Sequence, residues 1–275
     1  MSGHFDADWL QLREAADHAA RPDTLLHAVG CWANGKDALR ILDLGAGTGS
    51  NPRYLAPALA CAQHWTLVDH DRRLLALADR SLSSLCNADG RPVPVITRQL
   101  GLADPAALIV DAPNLVTASA LLDLVSDSWL ADLASACRRA NAAVLFALSY
   151  DGDMRWESED AMDEAVRHAV NAHQRRDKGL GPALGPDAAR RAAAVFAEAG
   201  YTVQLQPSPW LLGPESASLQ GALLDGWLRA AMEQEQAHAP DFLDWAVRRH
   251  NCIRYSEAHV VVGHQDLFAI PAAPT

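Results

Sequence analysis

Residues 41–51, Ile-Leu-Asp-Leu-Gly-Ala-Gly-Thr-Gly-Ser-Asn, constrain the fold of this chain more than any other stretch. Ile41 to Leu44 read as a short buried strand. Gly45, Gly47 and Gly49 follow at once, and Arg53 to Leu59 then carry an apolar pattern of helical period. A strand that passes through a glycine turn into a helix brings backbone N–H groups and a helix N-terminus up to a ligand. Glycine suits the turn because a Cβ would block both the bend and the approach. A dinucleotide fingerprint places glycines first, third and sixth. Here those positions are Gly45, Gly47 and Ser50, and the third glycine comes one residue early, at Gly49. Taken alone, the motif also fits an ordinary glycine-rich turn of an α/β protein.

A second motif, Trp65-Thr66-Leu67-Val68-Asp69-His70-Asp71, reads as a strand ending in acid, with Asp69 20 residues after Gly49. A carboxylate there accepts hydrogen bonds from ribose hydroxyls. Together, Asp43-Leu44-Gly45-Ala46-Gly47-Thr48-Gly49 and the acid-terminated strand resemble the class I S-adenosylmethionine-dependent methyltransferases. The resemblance implies S-adenosylmethionine as methyl donor and S-adenosylhomocysteine as product. It places Asp43, Gly45, Ala46, Gly47, Gly49 and Asn51 at the cofactor, with Asp43 helping to hold the glycine loop and the methionine end, and Asp69, with His70 beside it, at the ribose. Asp71 is the alternative to Asp69, although its position suits the cap of the helix that begins near Arg72. The family usually carries an acid for the adenine amino group in the next turn. Gly101 stands in that place, so Gln99, Gly101 and Leu102 are expected to border the ring, with Asp104 nearby. Thr117, Ala118 and Ser119, at the end of the fourth strand, are expected at the cofactor edge. Ser119 is also a candidate cap for the helix that follows.

The rest of the chain reads as strands alternating with helices, which implies a parallel sheet. The expected fold is an α/β, Rossmann-like, seven-stranded, mostly parallel sheet with an antiparallel last strand and helices on both faces. Residues 1–38 are expected to form an N-terminal helical cap and 39–275 the cofactor domain. Lid or insert segments are expected at about 151–186 and 213–255, the second lying just before the last strand. Strands are expected at 92–97, 114–118, 142–149 and 201–205, and a helix at about 121–139. The last strand is expected at 258–262, interrupted by Gly263-His264-Gln265-Asp266. Tyr150, Asp151, Asp153, Arg155 and Trp156 are read as a loop beyond the fifth strand, where functional residues concentrate. Tyr150, Trp156 and Arg13 are the candidate substrate contacts. Arg21 is a further candidate partner for a ligand carboxylate, and local salt bridges with Glu14 or Asp17 are the alternative use of these arginines. Trp227 and Trp245 are expected in the core.

The net charge of −11 argues against nucleic acid, whose binding needs a basic patch. Five scattered cysteines without a Cys-x-x-Cys pair read as reduced thiols of a cytoplasmic protein. No apolar run reaches the ~20 residues of a membrane helix. His168 and His173 lie five apart, so they do not share the helical face that a His-Glu-x-x-His metal site uses, and no metal is expected. Tyr150, Asp151, His168 and His173 are the candidate general bases. An Asn-Pro-Pro-Tyr string is absent after the fourth strand. With the acidic charge, this favours a small-molecule acceptor and a monomer or homodimer. The competing readings are another user of the cofactor, such as an aminopropyl transferase, and a non-catalytic cofactor-binding or assembly protein.

Overall fold

The computed structural model describes residues 6–109 and 111–272. Eight strands form one sheet: β1 Ala38–Leu44, β2 Ala62–Asp69, β3 Val95–Gln99, β4 Leu115–Ser119, β5 Ala143–Trp156, β6 Tyr201–Pro207, β7 Trp210–Leu212 and β8 Val260–Pro271. The strand order is β3-β2-β1-β4-β5-β8-β6, with the short β7 also paired to β8. Strands β1 to β5 pair in parallel. β8 is antiparallel to β5, β6 and β7. The antiparallel last strand is as expected, and β7 is one strand more than the seven. The order reverses between β1 and β4, and the region beyond the carboxyl ends of such a pair is where ligands of open α/β sheets bind.

The helices are α1 Ala7–Ala20, α2 Asp23–Ala33, α3 Ser50–Leu55, α4 Arg72–Ser81, α5 Pro105–Leu108, α6 Asp127–Arg139, α7 Asp163–Gln174, α8 Ala188–Glu198, α9 Ala217–Gln234 and α10 Ala239–Arg254. Caps mark their starts. Asp71 accepts from Arg73 N at the head of α4, and Ser126 accepts from Trp129 N at the head of α6. Ser119 is therefore not the cap. The expected helix at 121–139 divides into a 3-10 turn, Leu122–Leu124, and α6.

Side chains of α6 and α8 cover one sheet face around Trp129, Phe146 and Phe196, while α2 and α4 cover the other around Leu25, Trp65 and Leu75. Each such large apolar side chain contributes about 1.5–3 kcal/mol on burial. A third cluster gathers α7, α9 and α10 around the far end of β5. Trp227 and Trp245 lie in it, edge-on to Trp156 at 6.3 Å. Arg249 stacks over Trp156 at 4.6 Å.

Two expectations fail here for one reason. β5 does not end at residue 149 but continues to Trp156, so Tyr150 to Trp156 are strand rather than loop, and Trp156 is core rather than a substrate contact. β8 likewise runs through 263–266 without interruption. β5 bulges against β8, with register shifts between Phe146 and Ser149 and between Tyr150 and Met154. Gly263 serves this crossing: a Cβ there would stand 2.1 Å from Asp151 Oδ1 and 2.7 Å from Asp153 Cβ. A glycine inside a strand marks close approach of another segment.

Candidate functional site

The glycine turn leaves β1 with positive φ at Gly45, Gly47 and Gly49. Gly49 is the N-cap of α3 at φ +81°, and a Cβ there would meet Leu82 Cδ1 at 2.7 Å. Gly49→Ala is expected to cost about 2–4 kcal/mol, from left-handed strain plus overpacking, read in urea unfolding. A loss below about 0.5 kcal/mol would mean that this turn adapts freely.

Asp69, at the carboxyl end of β2, is buried and faces the turn. Its Oδ2 accepts from Gly47 N at 2.9 Å and its Oδ1 from Asp71 N at 2.8 Å, with His70 Nδ1 3.2 Å away. Asp43 Oδ1 accepts from Asn51 Nδ2 at 2.9 Å and from Thr117 Oγ1 at 2.7 Å. Asp43 Oδ2 is buried with no partner. Burial pushes this carboxyl up to about 6, against the two hydrogen bonds and the Arg21 charge. Asp43, Asn51, Asp69 and Thr117 thus converge on the switch point. Ala118 is buried beside them, and Ser119 is partly exposed at the end of β4.

Further round the rim, Gln99 Nε2 donates to the carbonyl of His70 at 3.1 Å. Leu102 Cδ1 and Leu121 Cδ1 lie 3.8 and 3.6 Å from where a Gly45 Cβ would stand. Trp129 Nε1 donates to the Leu102 carbonyl. Gly101 is exposed, with open space where a Cβ would be. Asp104 turns away and caps α5.

α1 lies across the mouth. Leu10 Cδ1 stands 3.1 Å from the Cβ position of Gly47. Arg21 donates to Asn51 Oδ1 at 3.1 Å and pairs with Asp266 at 2.7 Å. Asp266 Oδ1 also accepts from Leu148 N and Ser208 Oγ. Arg13, expected as a substrate contact, instead forms a two-pronged pair with Asp17, at 2.9 and 3.0 Å. Trp210 Nε1 donates to the same carboxylate and its ring lies 5.0 Å from the Arg13 guanidinium. The i,i+4 alternative weighed from the sequence is the one the fold uses.

The candidate bases separate. Tyr150 donates its phenol to Asn171 Oδ1 at 2.8 Å. Burial, reinforced by Asp151, pushes that phenol up, so it stays protonated near neutral pH. Asp151 accepts from Asp153 N, and burial raises it. His168 is exposed beside Glu164. His173 Nε2 pairs with Glu233, and burial, then the Lys178 charge, lowers it. His264, which the sequence did not single out, is buried between Trp210 and Tyr150 and held down to about 3 by burial and Arg13. Among the described residues, no group of three or more His, Cys, Asp or Glu is placed to hold a metal.

Asp123 was missed. It lies in the 3-10 turn after β4, 7% exposed, with Oδ1 lacking a partner. Burial pushes it up to about 6, with a hydrogen bond from its own backbone N–H and then the Arg13 and Lys178 charges opposing. The signal available in the sequence was one acid inside Leu121-Leu122-Asp123-Leu124-Val125. Since the folded carboxyl titrates above the unfolded one, the folded state binds the extra proton between about pH 4 and 6, and this group's contribution to stability falls as pH rises through that window. Asp123→Asn is therefore expected to unfold at higher urea than the wild type at pH 7, by on the order of 1–2 kcal/mol. The gain should vanish near pH 4. Equal gains at both pH values would place its origin outside the ionisation.

No family model and no curated protein matches the chain. Among solved structures, the YcgJ protein from Bacillus subtilis is similar at 13% identity, over 92% of this chain and 100% of its own, with a TM-score of 0.50. The cyclopropane synthase MmaA2 from Mycobacterium tuberculosis is similar at 11% identity, over 96% and 94%, also at 0.50. A SAM-dependent methyltransferase from Thiobacillus denitrificans, solved with S-adenosyl-L-homocysteine, is similar at 18% identity over 98% and 100%, with a TM-score of 0.47. The chain shares the fold of the first two of these structures, a Rossmann-like, mostly parallel sheet with an antiparallel last strand.

Proposed function

We propose that this chain is a methyltransferase that uses S-adenosylmethionine and acts on a small-molecule acceptor. One observation carries the reading: a buried carboxylate at the end of β2, Asp69, hydrogen-bonded to the Gly47 N–H of a glycine turn at the switch point. A carboxylate oxygen takes more than one donor, so Asp69 still has capacity for ribose hydroxyls. The donor set fits in a second respect. Asp43 Oδ2, buried and unpartnered, offers an acceptor beside the turn. In this reading Asp69 holds the ribose, and Gly45 to Gly49 with Asp43 and Asn51 hold the methionine end. Gln99, Gly101 and Leu102 border the adenine, and α1 with α2 forms the cap.

The donor, when bound, supplies an electrophilic methyl group. The chain's part is to orient the acceptor and exclude water, which supplies on the order of 7–11 kcal/mol of the barrier. The net charge of −11 supports an acceptor other than nucleic acid. The five cysteines are unpaired, which supports a reducing, cytoplasmic setting. No helix of the described residues is long and apolar enough to cross a membrane. Calorimetric titration of the wild type with S-adenosylmethionine and S-adenosylhomocysteine is expected to give one micromolar site for each. Absence of binding to both overturns the reading.

A further inference from the structure

The 3-10 turn after β4 holds a buried carboxylate with no role in the reading so far, Asp123. Asp123 Oδ1 is buried and unpartnered, which costs free energy unless a donor meets it. Its turn touches the glycine loop, since Leu121, two residues earlier, packs 3.6 Å from the Cβ position of Gly45. The segment 177–185 folds against the same turn. Leu184 N donates to the Val125 carbonyl at 2.8 Å, and a Cβ at Gly181 would stand 3.0 Å from Ser126 Cβ. Asp123 therefore lies between the glycine loop and a covering loop.

Every nearby donor is committed elsewhere. Arg13 holds Asp17, Lys178 Nζ donates to the His173 carbonyl at 3.2 Å, and the Tyr150 phenol goes to Asn171. The charges of Arg13 and Lys178 reach Asp123 only through space, and that of Asp123 reaches Tyr150 the same way. The carboxyl's own backbone N–H is its hydrogen-bond donor, and Oδ1 is left open to a donor from a ligand.

Resting on the methyltransferase reading, we propose that Asp123 Oδ1 meets the methyl acceptor, receives its O–H or N–H hydrogen and takes that proton during transfer. The acceptor's oxygen or nitrogen lone pair forms the new bond to the methyl carbon. The carbon–sulfur bond breaks with its electron pair left on sulfur. The acceptor's proton ends on Asp123 and returns to water when product leaves. The substrate class is then an alcohol, phenol or amine with a hydrogen on the reacting atom, which excludes thioethers and tertiary amines. A carboxyl that titrates near 6 suits a base working close to neutral pH.

Sinefungin tests this without knowledge of the acceptor. It carries C–NH3+ where S-adenosylmethionine carries S+–CH3, so it presents N–H donors at the point of transfer. The wild type is expected to bind sinefungin about tenfold or more tighter than S-adenosylhomocysteine at pH 7.5, as for a hydrogen bond to a charged group. That preference should shrink as pH falls below about 6. S-adenosylhomocysteine, titrated in parallel, carries any effect of Asp43, so the ratio reports Asp123. Asp123→Asn should bind S-adenosylhomocysteine as the wild type does and lose the preference. S-adenosylhomocysteine bound with no sinefungin preference, or with one that survives both low pH and Asp123→Asn, overturns the role of Asp123 and leaves the methyltransferase reading standing. Binding of neither ligand overturns both. The wild-type pH series needs no variant, so a folding defect in Asp123→Asn does not shelter the proposal.

Discussion

Asp69→Ala is expected to weaken S-adenosylhomocysteine binding about a hundredfold, read by calorimetry at pH 7.5. Hydrogen bonds to a charged group contribute about 1.5–3 kcal/mol each, and a ribose offers two hydroxyls. The substitution also removes the acceptor for Gly47 N, so the turn loses its tie to β2. Asp69→Asn separates the two effects. It keeps an oxygen for Gly47 N and lacks the charge, and about a tenfold loss is expected. Asp71→Ala is the control. Asp71 caps α4 through Arg73 N, so its loss should cost about 1 kcal/mol of stability and leave affinity near the wild-type value. If Asp71→Ala abolished binding while Asp69→Ala did not, the ribose role would pass to Asp71.

Arg21→Ala should produce the largest loss of stability, about 3–5 kcal/mol in urea unfolding. The guanidinium is buried against Asp266, which is 1% exposed, and also donates to Asn51 and lies 4.6 Å over the Tyr54 ring. Removing it leaves a buried carboxylate without its counter-charge, and such a buried charge costs more than the pair itself contributes. The double variant Arg21→Met with Asp266→Asn tests that cause. Asparagine keeps an acceptor for Leu148 N and Ser208 Oγ, and methionine restores volume, so more than half the loss should return. A loss below about 1 kcal/mol for Arg21→Ala would show that water reaches Asp266 once α1 loosens.

Much of the first half of the fold was legible because parallel strands covered on both faces read as apolar runs. Leu115 to Ala118 and Ala143 to Leu148 are such runs, and the glycines between β1 and α3 mark the turn into the helix. The far end of β5 was not legible. Its residues from Asp151 to Arg155 alternate buried with partly exposed, and their polar side chains carry the signal of a loop. Only the pairing with β8, about a hundred residues on in the chain, shows them to be strand. Gly263 reads as a breaker until Asp151 is seen to occupy the space its Cβ would need. In the site, Asp43 and Asp69 stand at or next to strand ends, Thr117 lies two residues before the end of β4 and Asn51 heads α3, and hydrogen bonds join Asp43 to Asn51 and Thr117. Asp123 was not legible, because its burial depends on the segment 177–185 folding back over its turn. Arg13 and Asp17 could be paired by spacing, but only Trp210, packed from a distant strand, fixes where that pair points.

The attachment of α1 has a consequence for how the molecule is made. Its anchors are Trp210, 193 residues beyond Asp17, and Asp266 near the end of β8. At a synthesis rate of 5–20 residues per second, α1 leaves the ribosome on the order of ten to forty seconds before these two distant anchors exist. During that interval the two arginines and the apolar face of α1 are on display, and the crevice beneath is uncovered. Within this chain α1 touches the glycine turn and Asn51 as well, but its attachment is complete only once β7 and β8 supply the last two anchors.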